Sequence, residues 1–240
     1  INQLVAAQSL VMENAALKAV NSPPLSRNLA RMNRAIKELQ ETAMSLHLVS
    51  IHFTFQKMVR VARDLSAKLG KDVRLVISEE DIQLNRTLED EISDSLMHLV
   101  NNSIDHGIEK PEIRLAAGKP AQGTVELKAF HQDGHVVIQI RDDGAGLNKD
   151  RILAKAIEKN LVPKKNRLTE KEIFNLIFTP GFSTAAKVTN ISGRGVGMDV
   201  VKQNIGNLKG KIEVKTRAGQ GSTFTIRLPM SPEGRRPKKQ

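Results

Sequence analysis

Two β-hairpin signals in the second half of the sequence limit the fold most strongly. The apolar segments 125–130 and 136–140 flank Asp133 and Gly134, a dipeptide typical of tight hairpin turns. A second pair of strand-like segments surrounds Gly219 and Gly221 near residue 230. Helical patterns separate the hairpins, whereas a doubly wound sheet would alternate single strands with helices. The sequence therefore predicts a layer of helices on one mixed sheet.

The other local patterns of this half agree with that arrangement. Thr169 and Glu172 have the spacing of a capping box and predict a helix start. The remaining predicted strands are 73–77, 211–216 and 223–228, and the predicted helices are 88–106, 149–159, 169–178 and 198–207.

The first part of the chain has long helical periodicity and few helix-breaking residues. Residues 1–20 predict one helix, which ends at the Asn-Ser-Pro-Pro segment 21–24. A second long helix is predicted to follow and to end at Gly70, a favourable C-cap residue. Its apolar positions have the heptad spacing of a coiled coil and are Leu25, Leu29, Met32, Ile36, Leu39, Ala43 and Leu46.

A helical hairpin of this kind cannot bury its own apolar stripe. We therefore expect a homodimer through residues 1–69, in which two hairpins form a four-helix bundle. The alternative is a monomeric hairpin whose stripe packs on the next domain of the same chain.

Composition narrows the possible functions. The chain has no Cys, which excludes disulfides and thiolate metal sites and fits a reducing cytoplasm. The net charge is +11, but Trp and Tyr are absent and the basic residues are dispersed, so we expect no nucleic-acid partner. Only the end of the chain concentrates basic residues, and residues 231–240 are predicted to be a disordered tail. No apolar stretch is long enough to span a bilayer, so we expect no membrane insertion.

Polar residues recur at helical spacing in the predicted helix 88–106. His98, Asn102 and His106 lie four residues apart and share one face. The amide oxygen of an Asn is a suitable ligand for Mg²⁺, which proteins usually hold with few side chains and substrate phosphates. A solvent-facing polar stripe is the alternative explanation.

Three glycine-containing segments follow in order. Asp142, Gly144 and Gly146 come directly after a predicted strand, where glycines allow a flat ligand to approach the backbone and an Asp can accept a hydrogen bond from it. Segment 178–184 comes next, and segment 192–199 leads into a helix whose first amides suit phosphate. The last segment has neither the Gly-Lys-Ser/Thr ending of a Walker loop nor the context of a Rossmann turn.

The ordered set resembles the N, G1, F and G2 boxes of the ATPase superfamily that includes histidine kinases, type II topoisomerases, the MutL family and heat-shock chaperones. Within this superfamily, four segments are similar in sequence to those of the CheA-type chemotaxis kinases. They are HLVNNSIDHGIE, DDGAGL, FTPGFST and SGRGVGMDVVKQNI. The segment FTFQKMVRVARDLSAKLGK at the end of the second long helix is also similar.

This resemblance implies an α+β chain with a helical-hairpin dimerisation domain over residues 1–70 and an α/β sandwich ATPase domain of the histidine-kinase (GHKL) type over residues 71–230. The implied cofactors are ATP and Mg²⁺. Asn102 would ligate the metal with His98 beside it, and Asp142 would bind the adenine amino group. The other implied ATP-binding residues are His106, Gly144, Gly146, Arg151, Lys155, Ser183, Thr184, Gly193, Arg194, Gly195, Gly197, Met198 and Ser222. Residues 178–197 would form a mobile ATP lid.

The implied function is a cytoplasmic protein-histidine kinase core that acts in a chemotaxis-like two-component system, with recruitment to membrane receptor arrays. Its implied partners are a separate phosphoacceptor domain, response regulators, and a receptor and coupling-protein array. The sequence departs from sensor kinases because His47 and His52 lack the acidic neighbour of a built-in phosphoacceptor. The alternatives are an ATPase machine that acts on DNA or protein, as in topoisomerases, and a catalytically inactive interaction module.

Overall fold

The structure is a computed structural model that describes residues 10–11, 13–14, 22–45, 48–163, 167–182 and 197–230, except for the side chains of residues 37–45. Its contacts divide the chain into two compact units, Ile1–Leu48 and Val49–Gln240. The division lies earlier in the chain than the predicted domain boundary at residue 70.

The first unit contains helix α1, Pro23–Ser45. Leu25, Leu29 and Ile36 are half-buried, and Met32 is 37% exposed. Residues 10, 11 and 13 are also helical, and the rest of the predicted helix 1–20 lies outside the described residues, as does the tail 231–240. The two-helix hairpin and its dimer therefore stay predictions.

The predicted second long helix is interrupted, which corrects the sequence prediction. A short strand β1, Leu48–Ser50, separates α1 from a new helix α2, Ile51–Leu69. Ser50 caps α2 by accepting a hydrogen bond from the backbone N–H of His52 at 3.3 Å. The helix ends at Gly70, whose φ of 63° is left-handed, as predicted.

Helix α2 belongs to the core of the second unit, and this accounts for the position of the structural division. Its inward face carries residues that are buried with the apolar residues of the sheet and of the later helices. These are Ile51, Phe55, Met58, Ala62 and Leu65.

A five-stranded mixed sheet forms the centre of the second unit, and it confirms the predicted layer architecture. The strands are β2 (Val73–Glu79), β4 (Gly123–Gln132), β5 (His135–Asp142), β6 (Lys211–Arg217) and β7 (Gly221–Pro229), in the spatial order β2-β4-β5-β7-β6. Among the described strands of this sheet, β2 and β4 pair in parallel, and the other three pairs are antiparallel. The strand β3, Gln83–Asn85, pairs instead with β1.

Besides α2, the described part of this unit contains further helices and helical turns, most of which share one core with the buried face of the sheet. They are α3 (Arg86–Asn102), a π-helical turn (Ser103–Gly107), α4 (Pro111–Ala116), α5 (Lys149–Glu158), α6 (Glu170–Asn175), a 3₁₀ turn (Leu176–Phe178) and α7 (Met198–Asn207). In β4, Val125, Leu127 and Ala129 are buried, while the intervening Lys128 is exposed. The capping box predicted at Thr169 and Glu172 is present. Among the helices in the described part of the chain, none is both apolar and long enough to cross a membrane.

Candidate functional site

The polar face of α3 forms one end of the site. Leu96, Leu99 and Val100 are fully buried and fix the helix, so that His98 and Asn102 share a half-buried face one turn apart. The side-chain Nδ2 of Asn102 donates to Sδ of Met198 at 3.3 Å. This contact joins the end of α3 to the first residue of α7. The sequence analysis predicts metal binding at the first of these elements and phosphate binding at the second.

The surroundings of His98 favour its neutral form. Burial is the main cause that lowers the pKa of its imidazole, and the nearby His106 lowers it further, while Asp199 acts in the opposite direction. Its Nδ1 atom is buried and has no hydrogen-bond partner among the described residues. A buried ring nitrogen in this state can bind a ligand atom or accept a proton.

The π-helical turn after Asn102 is held by a lysine that the sequence analysis missed. Lys71 Nζ donates to the carbonyl oxygens of Ile104 at 2.8 Å and Asp105 at 2.6 Å. These carbonyls lie at the C-terminal end of the helix, where a cation is favourable. The turn carries His106, whose side chain is 69% exposed and 3.6 Å from Asp105 Oδ2. Wide turns of this type are frequent at functional sites.

Asp142 forms the other end of the site, at the end of β5. The side chain is only 2% exposed. Its Oδ1 accepts hydrogen bonds from the backbone N–H groups of Gly144 at 3.0 Å and Ser222 at 3.2 Å, whereas Oδ2 accepts none within the described ranges. Burial raises the pKa of this carboxyl to about 6, because the two N–H groups that stabilise the anion do not offset its desolvation.

Close backbone approaches surround this carboxylate. An added Cβ on Gly107 would lie 3.2 Å from Asp142 Cγ, so this glycine lies directly against the carboxylate. A Cβ on Gly144 would lie 2.0 Å from the carbonyl oxygen of Gly107, and one on Gly221 would lie 1.9 Å from that of Asp142. Only glycine fits at the last two positions, and the segment 142–146 therefore packs tightly between the π-helical turn and β7.

The structure describes several other predicted site residues. The backbone of Gly146 approaches Arg217, and Thr216 Oγ1 accepts from the N–H of Leu147 at 2.9 Å. Ser222 Oγ lies 3.0 Å from Thr216 Oγ1, so its side chain contacts β6 while its backbone contacts Asp142. Arg151 and Lys155 lie one turn apart on α5, and Gly197 is the N-cap of α7. Ser183, Thr184, Gly193, Arg194 and Gly195 lie outside the described residues, as does most of the predicted lid.

The sequence analysis did not identify the residues that contact the backbone of the site's segments. Thr216 and Lys71 gave no local signal, because their contacts are with segments far along the chain. Gly107 and Gly221 were visible within the quoted motifs, but their close contacts depend on the packing of two segments. Arg114 and Lys119, which contact the segment 143–144, gave no signal either.

Comparison with known proteins shows the family to which the chain belongs. The pattern of the family described as histidine kinase-, DNA gyrase B-, and HSP90-like ATPase matches residues 88–232. The curated protein named Chemotaxis protein CheA from Salmonella typhimurium is 44% identical over 232 residues, which cover 96% of this chain and 34% of that protein. Its namesake from Bacillus subtilis is 45% identical over 216 residues, which cover 89% of this chain and 32% of that protein.

The chain thus spans about a third of the length of the curated relatives it matches. Among solved structures, the catalytic domain of the histidine kinase ThkA is similar, with a TM-score of 0.50 and 18% identity over 78% of this chain and 97% of that one. That likeness concerns the fold. The family pattern covers more than half of the sequence and contains the His98, Asp142 and Gly197 segments described above. The chain therefore belongs to the histidine kinase-, DNA gyrase B- and HSP90-like ATPase family.

Proposed function

We propose that this chain is the catalytic core of a protein-histidine kinase in a chemotaxis-like two-component system. In this proposal it transfers the γ-phosphoryl group of ATP to a histidine on a separate phosphoacceptor domain. The similarity to relatives named Chemotaxis protein CheA, which extends over 96% of the chain, supports this assignment. The alternative of a topoisomerase-like or MutL-like machine is not favoured by any of these relatives.

The observation that carries the proposal is the residue one turn before Asn102. The ATP hydrolases of this superfamily resemble one another in having a Glu there, which serves as the general base for water. Here the position is His98, and burial lowers the pKa of its half-buried imidazole, which makes it a weaker base than a free histidine. An attacking imidazole needs less help from a base than water does, so transfer to histidine suffers less from this replacement than hydrolysis does.

In the proposed binding mode, the adenine lies at the Asp142 end of the site and the phosphates lie at the Asn102 end. Asp142 Oδ2 accepts a hydrogen bond from the adenine amino group, since Oδ1 is already occupied by two backbone N–H groups. The phosphates extend toward Asn102 and the N-terminus of α7, where Gly197 brings no side chain to compete for the first amides. Cationic and polar contacts to the phosphates are assigned to His106, Arg151, Lys155, Ser183, Thr184, Gly193, Arg194 and Gly195.

A magnesium ion fits the donors at this end. The described residues contain no cluster of three or more His, Cys, Asp or Glu side chains around one point. An ion held by Asn102 and substrate phosphates needs no such cluster. One turn earlier on α3, Nδ1 of His98 has no hydrogen-bond partner among the described residues. When bound, the ion neutralises charge on the transferring phosphoryl group.

ATP binding should weaken at mildly acidic pH. Oδ1 of Asp142 already accepts from two backbone N–H groups, so a proton on this carboxyl would lie on Oδ2 and block the adenine amino group. The pKa of Asp142 is raised to about 6. Affinity should therefore be steady above neutrality and fall about tenfold per pH unit below that pKa. Calorimetric titrations across this range measure the effect.

Acid unfolding through this carboxyl would not explain such a loss. A raised folded-state pKa means that protonation of Asp142 favours the folded chain as the pH falls, so stability from this group rises. The control is Asp142→Asn, which does not titrate; its single amide oxygen takes the two backbone N–H groups, so its affinity for ATP should be low at every pH. Its pH profile should retain only the contribution of the ATP phosphates, and a profile equal to that of the wild type would remove Asp142 from the adenine site.

Transfer to an acceptor in trans is the test of the proposed function. The chain mixed with labelled ATP should not label itself, because neither His47 nor His52 has the acidic neighbour of a sensor-kinase phosphoacceptor. It should label a separately supplied phosphoacceptor domain with an acid-labile phosphoryl group. Asn102→Ala and His98→Ala should each reduce that transfer by more than about a hundredfold, as removal of a transition-state contact does.

The control is Arg34→Glu, a surface change on α1, outside the catalytic unit. It should leave transfer unchanged. Rapid release of free phosphate without any labelling of the acceptor would contradict the kinase assignment and support the ATPase-machine alternative.

The proposal also includes a homodimer through the helical segment 1–69. Ile36→Glu introduces a charge into the seam of α1 at a half-buried position, and burying an unpaired charge costs several kcal/mol. Light scattering should therefore report a dimer for the wild type and a monomer for this variant. Arg34→Glu is the matched control, since Arg34 is exposed on the opposite face of α1. A monomeric wild type would contradict the dimer.

The remaining partners are proposed from the same similarity. They are response regulators and a receptor and coupling-protein array, and the proposed location is the cytoplasm with recruitment to membrane receptors. No nucleic-acid partner is proposed, since the basic residues of the sequence are dispersed and Trp and Tyr are absent.

A further inference from the structure

A buried arginine contacts the residue that follows Asp142, at the proposed adenine end of the site. Arg114, on the short helix α4, is 1% exposed. Its guanidinium donates to the carbonyl oxygens of Pro120 at 2.8 Å, Asp143 at 3.3 Å and Gln122 at 3.4 Å. It also pairs with Glu109 Oε2 at 3.1 Å and with Asp143 Oδ2 at 3.0 Å. One planar group thus joins the segment after the π-helical turn, the segment before β4 and the residue after Asp142.

Lys119 completes a four-residue charged cluster with Glu109, Arg114 and Asp143. Its Nζ pairs with Glu109 Oε1 at 2.7 Å and donates to the carbonyl oxygens of Asp143 at 3.1 Å and Gly144 at 2.7 Å. The two cations balance the two carboxylates, and Asp143 Oδ1 also accepts from the N–H of Thr124 at 2.9 Å.

The cluster contacts the backbone of residues 142–146, which form the adenine loop of the proposed site. Lys119 binds the carbonyl oxygens of both residues that directly follow Asp142, and Arg114 binds the carbonyl oxygen of the first of them, Asp143. Fixing the peptide between Asp143 and Gly144 fixes the N–H of Gly144, which donates to Asp142 Oδ1 at 3.0 Å. That N–H and the N–H of Ser222 together hold Oδ1, so the direction of the Gly144 N–H contributes to how the carboxylate is turned and where Oδ2 faces.

We propose that Arg114 and Lys119 are positioning residues for adenine recognition, which act through the 143–144 backbone to hold Asp142 Oδ2 toward the amino group of the base. The inference rests on the proposed binding of ATP. Neither cation contacts the ligand in this arrangement.

Packing alone does not account for the cluster. A buried ion pair is often replaceable by apolar residues of similar volume without loss of stability, so it is weak support for a purely stabilising role. Apolar side chains would fill the space under the loop, but they could not bind its carbonyls. The specific contribution of the cations is therefore the orientation of this backbone segment.

Discrimination between ATP and inosine triphosphate tests the inference. Adenine presents an amino donor where hypoxanthine has a carbonyl, so the wild type should bind ATP more tightly. Lys119→Met should reduce the ATP-to-inosine-triphosphate affinity ratio about tenfold, since the ratio reports one hydrogen bond to a charged acceptor. Affinity for inosine triphosphate should change little, because the phosphate end is intact.

Arg114→Met should reduce the ratio at least as much, provided that circular dichroism shows a folded chain. If Arg114→Met does not fold, Lys119→Met alone tests the positioning role. Lys119 is less buried than Arg114, so its replacement should disturb folding less. Lys128→Met is the matched control, since Lys128 is exposed on β4 and lies over the ring of Phe130. It should keep the wild-type ratio.

The outcomes separate this inference from the proposed function. A folded Lys119→Met chain with the wild-type ratio, or one that loses both nucleotides equally, would overturn the positioning role while leaving ATP binding intact. A wild type that binds neither nucleotide would overturn the proposed function, and the positioning role with it.

Discussion

A chain that begins at Val49 is expected to fold and bind ATP, whereas one that begins at Lys71 is expected to remain unfolded. The second start is the domain boundary that the sequence predicts, and it removes α2. The inward face of this helix is part of the core, with Phe55 and Met58 at 0% exposure and Ile51 at 1%. Without it, the apolar surfaces of α3 and β2 would be exposed to water.

The expected loss exceeds the stability of an ordinary domain. Truncating one such side chain to Ala costs about 2–5 kcal/mol, and the whole domain is stable by about 5–15 kcal/mol. Circular dichroism and ATP-induced changes in Tm compare the two truncated chains. A folded chain from Lys71 would mean that α2 is an accessory helix.

A pair of point variants makes the same comparison within the full chain. Phe55→Ala should lower the free energy of unfolding by about 3–5 kcal/mol, and Phe53→Ala, two residues away and 62% exposed, by less than about 0.5 kcal/mol. Urea denaturation followed by circular dichroism measures both. Equal effects would place the two faces of α2 in similar environments and contradict its role in the core.

Local chemistry explains which parts of the fold the sequence predicts. The hairpin at Asp133 and Gly134 is present with φ values of 49° and 73°, because the turn depends on residues that tolerate positive φ. Gly70 ends its helix for the same reason, and Thr169 begins one through a hydrogen bond within its own first turn. Each of these signals lies within a few residues of its effect.

The errors arise where distant segments decide the outcome. Helical periodicity continues through residues 25–69, but it does not report that β1 pairs with β3 and interrupts the helix. Nor does it report that the inward face of α2 belongs to the same core as the sheet. The same limit applies to the site, since the sequence marks Asp142 and Asn102, but the contacts of Lys71, Arg114 and Lys119 appear only when the chain is folded.

Gly144→Ala is expected to weaken ATP binding and to reduce the ATP-induced increase in Tm. Its new Cβ would lie 2.0 Å from the carbonyl oxygen of Gly107, a distance that atoms cannot maintain. Either the adenine loop or the π-helical turn must move, and the first movement would displace Asp142 directly. Overpacking of this kind typically costs 1–3 kcal/mol, and we expect an affinity loss of about tenfold to a hundredfold. The ATP-induced increase in Tm measures the effect.

Gly221→Ala should have an equal or larger effect, because a Cβ there lies 1.9 Å from the carbonyl oxygen of Asp142 and the residue has a φ of 88°. Gly206→Ala is the matched control. It lies in α7 with no atom within 4 Å of an added Cβ, and Ala is favoured over Gly in a helix by about 1 kcal/mol. That variant should be at least as stable as the wild type and bind ATP normally. If Gly144→Ala and Gly221→Ala also kept the full ATP-induced increase in Tm, the loop between Asp142 and Gly146 would not be the adenine site, because neither change leaves that backbone in place.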